Sequence, residues 1–428
     1  MSDAPVPGAD AAATRVGRFR WAICALLFAA TALNYVDRQI IGILQPTLAH
    51  QFHWSETDYG NIVFWFEVAY AVGYLVFGRL IDRIGARAGY ALAVGIWTVA
   101  HVAHAWASSL TDFMVARFAI GLGEGGNFPA SLKAVAEWFP KRERALATGI
   151  VNAGTNIGAI VAPLIVPVIT LTLGWRATFL ITGAFTVVWL IVWLAVYRPP
   201  RQQPRVGPGE LALIESDPPD PTVSIPLMRL LGVRETWGYA LARLFIDPVW
   251  WMWLFWLPDF LVRRHHLDLR TFGPPIVAVF VISDIGSIAG GWMSSRLLRA
   301  GFSLNAARKC TLLLCALLVL PVFGAASVDN LWGAVAIVGL AAAGHQGFSC
   351  NLFTLPSDVF PRRAVGSLIG IGGTAGAVGG MLLAKYAGWV LDRLGSFEPL
   401  FVYAGCAYLL ALLVVHLFSP RLAPARVE

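Results

Sequence analysis

The sequence predicts an all-α polytopic membrane protein, with twelve transmembrane helices arranged as two pseudo-symmetric bundles of six. Of the 428 residues, 57% are hydrophobic and only 13% are charged, whereas a soluble domain carries roughly 25% charged residues. Apolar stretches of about 20 residues, the length at which a helix crosses a bilayer, recur along almost the whole chain. The third observation is an internal repeat that relates the two halves of the chain.

The twelve apolar stretches are predicted to form one membrane helix each. They occupy approximately residues 20–48, 58–80, 87–107, 111–138, 144–171, 175–197, 237–262, 271–298, 306–326, 329–359, 364–391 and 398–418.

The positive charges predict how these helices are oriented. Lys and Arg collect in cytoplasmic loops, and a cytoplasmic N-terminus places most of the 32 Lys and Arg residues on that side. Both termini are therefore predicted to be cytoplasmic, and the loop RRHHLDLR at 263–270 is the basic exception outside. Loop positions account for the net charge of +7, so we expect no nucleic-acid partner. The apolar helices make the lipid bilayer an expected partner.

An internal repeat divides the chain. FPKRERALATGI at 139–150 aligns without gaps with FPRRAVGSLIGI at 360–371, and a Pro-rich, mixed-charge segment lies between the halves. We therefore expect an N-terminal six-helix bundle with a short cytoplasmic tail, a cytoplasmic linker, and a C-terminal six-helix bundle with a short cytoplasmic tail. The three units are 1–197, 198–236 and 237–428. Two parallel halves with a site between them are typical of alternating-access carriers.

Four ionisable residues lie inside predicted membrane helices of the first half: Asp37, Arg38, Arg117 and Glu124. Each such charge costs roughly 2.5 to 3.5 kcal/mol at the centre of a bilayer, so we expect these residues to pair and to face a wet cavity. Arg117 and Glu124 are two helical turns apart and share a face. Asp37 and Arg38 follow Asn34 at i+3 and i+4. Two acids and two bases on facing helices can neutralise each other in either of two pairings.

A loop motif between predicted helices 2 and 3 supports a family resemblance. GRLIDRIG at 78–85 matches the pattern G-x-x-x-D-R-x-G with Gly78, Asp82, Arg83 and Gly85. With the twelve predicted helices, the six-plus-six repeat and the central loop, the chain resembles the major facilitator superfamily. The resemblance implies that fold, and a gating role in which Asp82 caps a neighbouring helix or pairs with an arginine of the other bundle. In the plainer alternative, these residues only anchor the helices on the cytoplasmic side.

Three stretches resemble the anion:cation symporter family within that superfamily. They are NYVDRQIIGILQPTL at 34–48, RFAIGLGEGGNFPASLKAVAEWFP at 117–140 and LFIDPVWWMWLFWLPDFL at 244–261. The last stretch resembles the bacterial hexuronate transporters in particular. The resemblance implies proton-coupled import of hexuronates such as glucuronate and galacturonate across the bacterial cytoplasmic (inner) membrane. We expect a monomer that needs no cofactor, with protons as the coupling ion.

A sugar acid carries a carboxylate and several hydroxyls, which suggests roles for the charged residues. Arg38 is the first choice for the carboxylate, with Arg117 as the second cation, because a guanidinium binds a carboxylate through two hydrogen bonds and keeps its charge. Asp37 and Glu124 are the expected proton-coupling groups. The resemblance favours the pairs Asp37–Arg117 and Glu124–Arg38, although the sequence also permits the swapped pairing. Protonation of Glu124 would then release Arg38 for the substrate.

Other polar residues are candidate substrate contacts. Tyr35 and Tyr70 match positions that contact substrate in the related sugar-acid carriers. Candidate hydroxyl-binding residues on predicted helices 5 and 10 are Thr155, Asn156, Gln346, Ser349 and Asn351. His345 joins them because it lies opposite Glu124 in the repeat and can titrate near neutral pH. For each of these residues, a purely structural hydrogen bond between helices is the alternative.

The sequence also permits other functions. The substrate can be another organic anion, such as an aldonate or an aromatic acid, and the carrier can be an exchanger that needs no proton. A non-transporting membrane sensor is less favoured, because the longest hydrophilic stretch is only the linker. An enzyme is disfavoured, because the sequence shows no nucleotide-binding glycine motif in a strand–helix context, no metal-spaced His/Cys cluster and no nucleophile elbow. We therefore expect no catalytic and no metal-binding residues.

Overall fold

The computed structural model describes residues 17–217 and 225–425, and within these ranges every regular element is a helix. The outermost parts of both predicted tails and residues 218–224 of the predicted linker lie outside the described residues. The first half contains α1 Phe19–Phe52, α2 Glu56–Ala103, α3 Leu110–Glu124, α4 Asn127–Trp138, α5 Lys141–Leu173 and α6 Trp175–Val196. The predicted linker contains α7 Pro208–Ile214 and α8 Leu227–Leu231. The second half contains α9 Arg234–His265, α10 Gly273–Arg299, α11 Leu304–Val319, α12 Leu331–Leu352, α13 Leu355–Val359, α14 Arg362–Leu394 and α15 Glu398–Phe418.

Ten helical segments of the described chain are long and apolar enough to cross a membrane. One of them, Glu56–Trp106, contains a break at Gly85, where φ is 81° and the backbone leaves the helical region. Only glycine adopts such a φ freely, so the motif glycine is the point at which α2 divides. The pair α3 and α4, which covers predicted helix 4, is not among the ten and is interrupted at Gly125 and Gly126.

The sequence repeat is also a repeat of helix geometry. Helices α5 and α14 each have 33 residues and begin directly after Pro140 and Pro361, which keeps the offset of the sequence alignment. In the first half α1 packs on α5 and α2 packs on α3, while in the second half α9 packs on α14 and α10 packs on α12. Equivalent pairs of helices therefore pack against each other in the two halves.

Close packing of glycines fixes the position of α3 against α2. A Cβ at Gly73 of α2 would lie 2.3 Å from the Leu122 carbonyl oxygen, and a Cβ at Gly121 of α3 would lie 2.4 Å from the Phe66 carbonyl oxygen. Small residues allow helix backbones to approach this closely in a membrane. This contact holds the end of α3, which carries Glu124, beside the middle of α2.

The two halves are tied together at the end of the molecule where α1 ends and α2 begins. Asp392 at the end of α14 accepts hydrogen bonds from the backbone N–H groups of Glu56 and Thr57, both at 2.8 Å. Arg263 at the end of α9 forms an ion pair with Glu56. Near the opposite end, the ion pairs Asp82–Lys133 and Arg308–Asp358 each join helices of a single half. The halves are thus closed against each other at one end by polar contacts between them.

Candidate substrate site between the two halves

An ion pair between α1 and α3 forms the centre of the candidate site. Arg38 Nε donates a hydrogen bond to Glu124 Oε2 at 2.8 Å, and Arg38 Nη2 donates to Asn34 Oδ1 at 3.1 Å. The Arg38 and Glu124 side chains are at most 1% exposed. This is the Arg38–Glu124 pair that the resemblance favoured.

Aromatic rings surround the Arg38 guanidinium. Its Cζ lies 4.6 Å from the ring centre of Tyr35, 4.9 Å from that of Tyr70 and 5.0 Å from that of Trp251. A cation within about 6 Å of an aromatic face is attracted by the ring electrons. Tyr35 and Tyr70 belong to the first half, whereas Trp251 lies on α9, so both halves contribute to the cluster. Of the tryptophans in the α9 stretch, Trp251 is the one whose ring covers this cation.

Arg117 does not form its predicted pair with Asp37. Among the described residues, Arg117 has no carboxylate oxygen within ion-pair distance, and its Nε and Nη2 atoms are buried without a hydrogen-bond partner. Its Cζ lies 4.4 Å from the ring centre of Phe66. Asp37 instead accepts a hydrogen bond from Thr186 of α6 at 3.1 Å and lies 3.4 Å from His101 Nε2 of α2. The swapped pairing is excluded as well in this arrangement, because Arg38 binds Glu124.

The position of Asp37 on its helix explains why it meets Thr186 and His101 and not Arg117. Consecutive residues of an α-helix point about 100° apart, because one turn holds about 3.6 residues. When Arg38 faces Glu124, Asp37 is turned toward α6 and the second segment of α2. His101 and Thr186 belong to none of the sequence motifs described above. Their only signal was a polar side chain inside an apolar run.

Helix α5 passes directly beside Tyr35. A Cβ at Gly158 would lie 2.6 Å from Tyr35 Cβ, so the two helices touch there. One turn earlier on α5, Thr155 donates to the Asn152 carbonyl oxygen at 2.8 Å and lies 3.1 Å from Asn156 Oδ1. Thr155 thus lies about one turn from the contact with Tyr35, and among the described residues neither Thr155 nor Asn156 has a hydrogen bond to the Arg38 cluster.

Two of the candidates on α12, His345 and Asn351, have side-chain hydrogen-bond partners, and the other two have none among the described residues. His345 is stacked on Trp250 with ring centres 5.2 Å apart, and its Nδ1 lies 2.7 Å from the Tyr408 hydroxyl. Gln346 is half-buried and Ser349 is buried, and neither side chain has a hydrogen bond to another described residue.

Asn351 is engaged inside the second half. Its Nδ2 donates to the Gly290 carbonyl oxygen at 3.1 Å and to the Gly347 carbonyl oxygen at 2.9 Å, and its Oδ1 accepts from Arg308 at 3.2 Å. In this arrangement Asn351 ties α10, α11 and α12 together, which is the structural alternative weighed for it.

Comparison with known proteins decides the family. The pattern that describes the Major Facilitator Superfamily matches residues 27–384. The chain belongs to this superfamily. It is a transporter of the cytoplasmic membrane and not an enzyme.

Relatives within the superfamily transport sugar acids. The chain is 31% identical over 407 residues to the hexuronate transporter of Escherichia coli strain K12, covering 94% of each chain. It is 28% identical to the D-galactonate transporter of Escherichia coli O6:H1, covering 94% of this chain and 96% of the relative. A crystal structure of a bacterial homologue of the human lysosomal transporter Spinster, inward-facing and occupied, superposes with a TM-score of 0.73 at 18% identity, covering 94% of this chain and 97% of the homologue. That likeness supports the fold.

The superfamily loop motif lies at the break in α2. Gly85 makes the break, while Arg83 is exposed and nothing lies within 4 Å of where a Gly78 Cβ would be. Asp82 Oδ1 lies 3.2 Å from Lys133 Nζ, and the two side chains are 71% and 38% exposed. In this conformation Asp82 therefore pairs within its own half.

Proposed function

We propose that this protein is a proton-coupled symporter that imports hexuronates such as glucuronate and galacturonate by alternating access. The observation that carries the proposal is the buried Arg38–Glu124 ion pair under its cover of aromatic rings. Arg38 Nη1 is buried and has no hydrogen-bond partner among the described residues. A guanidinium that still has a free donor, and whose acidic partner can be neutralised by a proton, can accept a second carboxylate.

Proton binding and substrate binding are coupled through this pair. When Glu124 takes up a proton, Arg38 loses its counter-charge and binds the carboxylate of the sugar acid instead. Each of the two events favours the other, as reciprocal coupling between two ligands requires. Tyr35, Tyr70 and Trp251 give the sugar ring aromatic and hydroxyl contacts. Thr155 and Asn156 remain proposed hydroxyl contacts, since α5 touches α1 at Tyr35 one turn further along. We also propose that the protein is a monomer, that it needs no cofactor, and that protons are the coupling ion.

Asp37 keeps a proposed role in proton transfer, although it has different partners from those expected. It is fully buried between α2 and α6 with His101 and Thr186. In the proposed cycle, Asp37 carries a proton beside His101 and does not itself contact the sugar acid.

The orientation and the number of crossings also belong to the proposal. We infer twelve membrane crossings, because Gly85 divides α2 and because α3 with α4 forms one interrupted crossing. With both termini in the cytoplasm, the end closed by Asp392 and Arg263 is the outer side, so the conformation faces inward. Ion pairs also account for the basic outer loop, because Arg263 binds Glu56 and Arg264 binds Asp329.

An aldonate is the second candidate substrate, because a relative that covers nearly the same length is named a D-galactonate transporter. Uptake into proteoliposomes under an imposed pH gradient tests both candidates, with glucuronate, galacturonate and galactonate as competing substrates. We expect the gradient to drive accumulation and a uronate to compete best. Uptake that does not depend on the pH gradient would exclude proton symport. A lack of competition by any uronate would exclude the hexuronate assignment.

A further inference from the structure

A second acid, Glu67 of α2, lies at the contact between the two halves. Glu67 is fully buried, and within the described chain neither of its carboxyl oxygens has a hydrogen-bond partner. A Cβ at Gly380 of α14 would lie 3.0 Å from Glu67 Cδ and 3.0 Å from Trp251 Cδ1. The carboxyl group therefore occupies a space that only a glycine leaves open, next to the tryptophan that covers Arg38.

The charged groups around Glu67 come from three helices. They are Arg38 of α1, Arg117 and Glu124 of α3, and Asp247 of α9. On helix α14, Gly380 lies against Glu67. Lys385, about one and a half turns further toward the C-terminal end of α14, donates a hydrogen bond to Asn61.

Most of these charges already have a partner. Glu124 is paired with Arg38, and Asp247 Oδ1 accepts from Arg243 Nε at 2.8 Å. Arg117 is the remaining cation around Glu67, and among the described residues it has no carboxylate oxygen within ion-pair distance.

The protonation of Glu67 then depends on whether a sugar acid occupies the proposed site. An ionised carboxylate that is buried without a hydrogen bond carries a large desolvation cost, so it needs a nearby cation that no other anion uses. Arg117 acts on Glu67 through its charge without forming an ion pair with it, and it is the cation on which an ionised Glu67 depends before the sugar acid binds. A sugar acid brings its own carboxylate to the two arginines, and an ionised Glu67 would then be repelled by it.

We propose that Glu67 binds one proton in each transport cycle and is neutral whenever the sugar acid is bound. The proton comes from the outer solution together with the substrate and leaves to the cytoplasm after the substrate departs. Glu67 is thus a further proton-coupling group, in addition to Glu124 and Asp37. This inference rests on the proposed proton-coupled function.

The test is the number of protons taken up per sugar acid bound. Calorimetric titration with galacturonate of the purified full-length protein, in two buffers with different ionisation heats, gives this number for the wild type and for Glu67→Gln. Glutamine mimics the neutral acid, so the variant should bind galacturonate and take up about one proton fewer. Asp284→Asn, which removes a membrane acid on α10 outside this cluster, is the matched control and should keep the wild-type number.

Unchanged proton uptake in Glu67→Gln, or loss of binding by it, would overturn the inference while leaving the symport intact. If wild-type binding takes up no proton at all, the proposed function fails as well. Should Glu67→Gln not yield folded protein, Glu67→Ala gives the same comparison, because it also removes the titrating group. The same two outcomes would contradict the inference.

Discussion

Arg38 and Glu124 form a 2.8 Å ion pair that joins α1 to α3 and is closed off from solvent. Removing one partner of a buried pair costs about 3 to 5 kcal/mol, because the other charge is left without compensation. An exchange of partners, in which a substrate carboxylate replaces Glu124 as a proton arrives, avoids this cost. The pair is therefore the element that a transport cycle can switch.

Glu124→Gln removes the proposed proton carrier and leaves a neutral side chain beside Arg38. We expect pH-gradient-driven uptake of galacturonate to fall by at least about tenfold, the usual scale of coupling between two ligands, while counterflow exchange continues. Both rates are measured in the same proteoliposomes. Asp284→Asn is the control and should behave like the wild type. Normal gradient-driven accumulation by Glu124→Gln would show that another group carries the proton.

Arg38→Lys keeps the positive charge but removes the planar fork. Hydrogen bonds to charged groups contribute about 1.5 to 3 kcal/mol, so the affinity for galacturonate should fall by roughly 10- to 100-fold. Calorimetric titration measures the change. Arg176→Lys is the matched control, because Arg176 lies over Trp175 at the start of α6, away from the cluster. An unchanged dissociation constant would exclude Arg38 from carboxylate recognition.

Asp37→Asn separates proton transfer from substrate binding. The amide can still accept the Thr186 hydrogen bond, and among the described residues the Asp37 side chain forms no hydrogen bond or ion pair with Arg38 or Arg117. Galacturonate affinity should therefore stay within about twofold, as expected for independent sites, while gradient-driven accumulation is lost. A large loss of affinity would indicate that Asp37 contributes to the sugar site itself.

Gly60→Leu is expected to prevent closure of the outer side. A Cβ at Gly60 would lie 2.6 Å from the Ala384 carbonyl oxygen, and overpacking such a contact costs about 1 to 3 kcal/mol. The variant should bind galacturonate but fail to transport it, as measured by thermal stabilisation on binding and by uptake. Gly95→Leu is the control, since nothing lies within 4 Å of that Cβ position. Wild-type uptake by Gly60→Leu would show that this contact is not part of the cycle.

The sequence by itself determined the class of fold and the set of charged residues inside the membrane helices. Long apolar runs indicated membrane helices, the aligned motifs indicated equivalent halves, and four buried charges indicated a polar centre. The break at Gly85 fell between two predicted helices, because a glycine in the motif permits a φ that other residues avoid. The Arg38–Glu124 pair was one of two pairings that the sequence permitted, and the family resemblance favoured it.

Only the tertiary structure decided which neighbour each side chain meets. Helical spacing states which residues share a face, but it leaves open the rotation of each helix about its axis and the identity of the helix opposite. Because of that rotation, Asp37 meets His101 and Thr186, and Glu67 lies against Gly380 of the other half. Arg117 has no carboxylate oxygen within ion-pair distance in the described part of the chain. The sequence thus specified the set of charges, while the packing of two separately encoded halves specified their partners, because contacts between distant segments depend on helix positions that no local pattern contains.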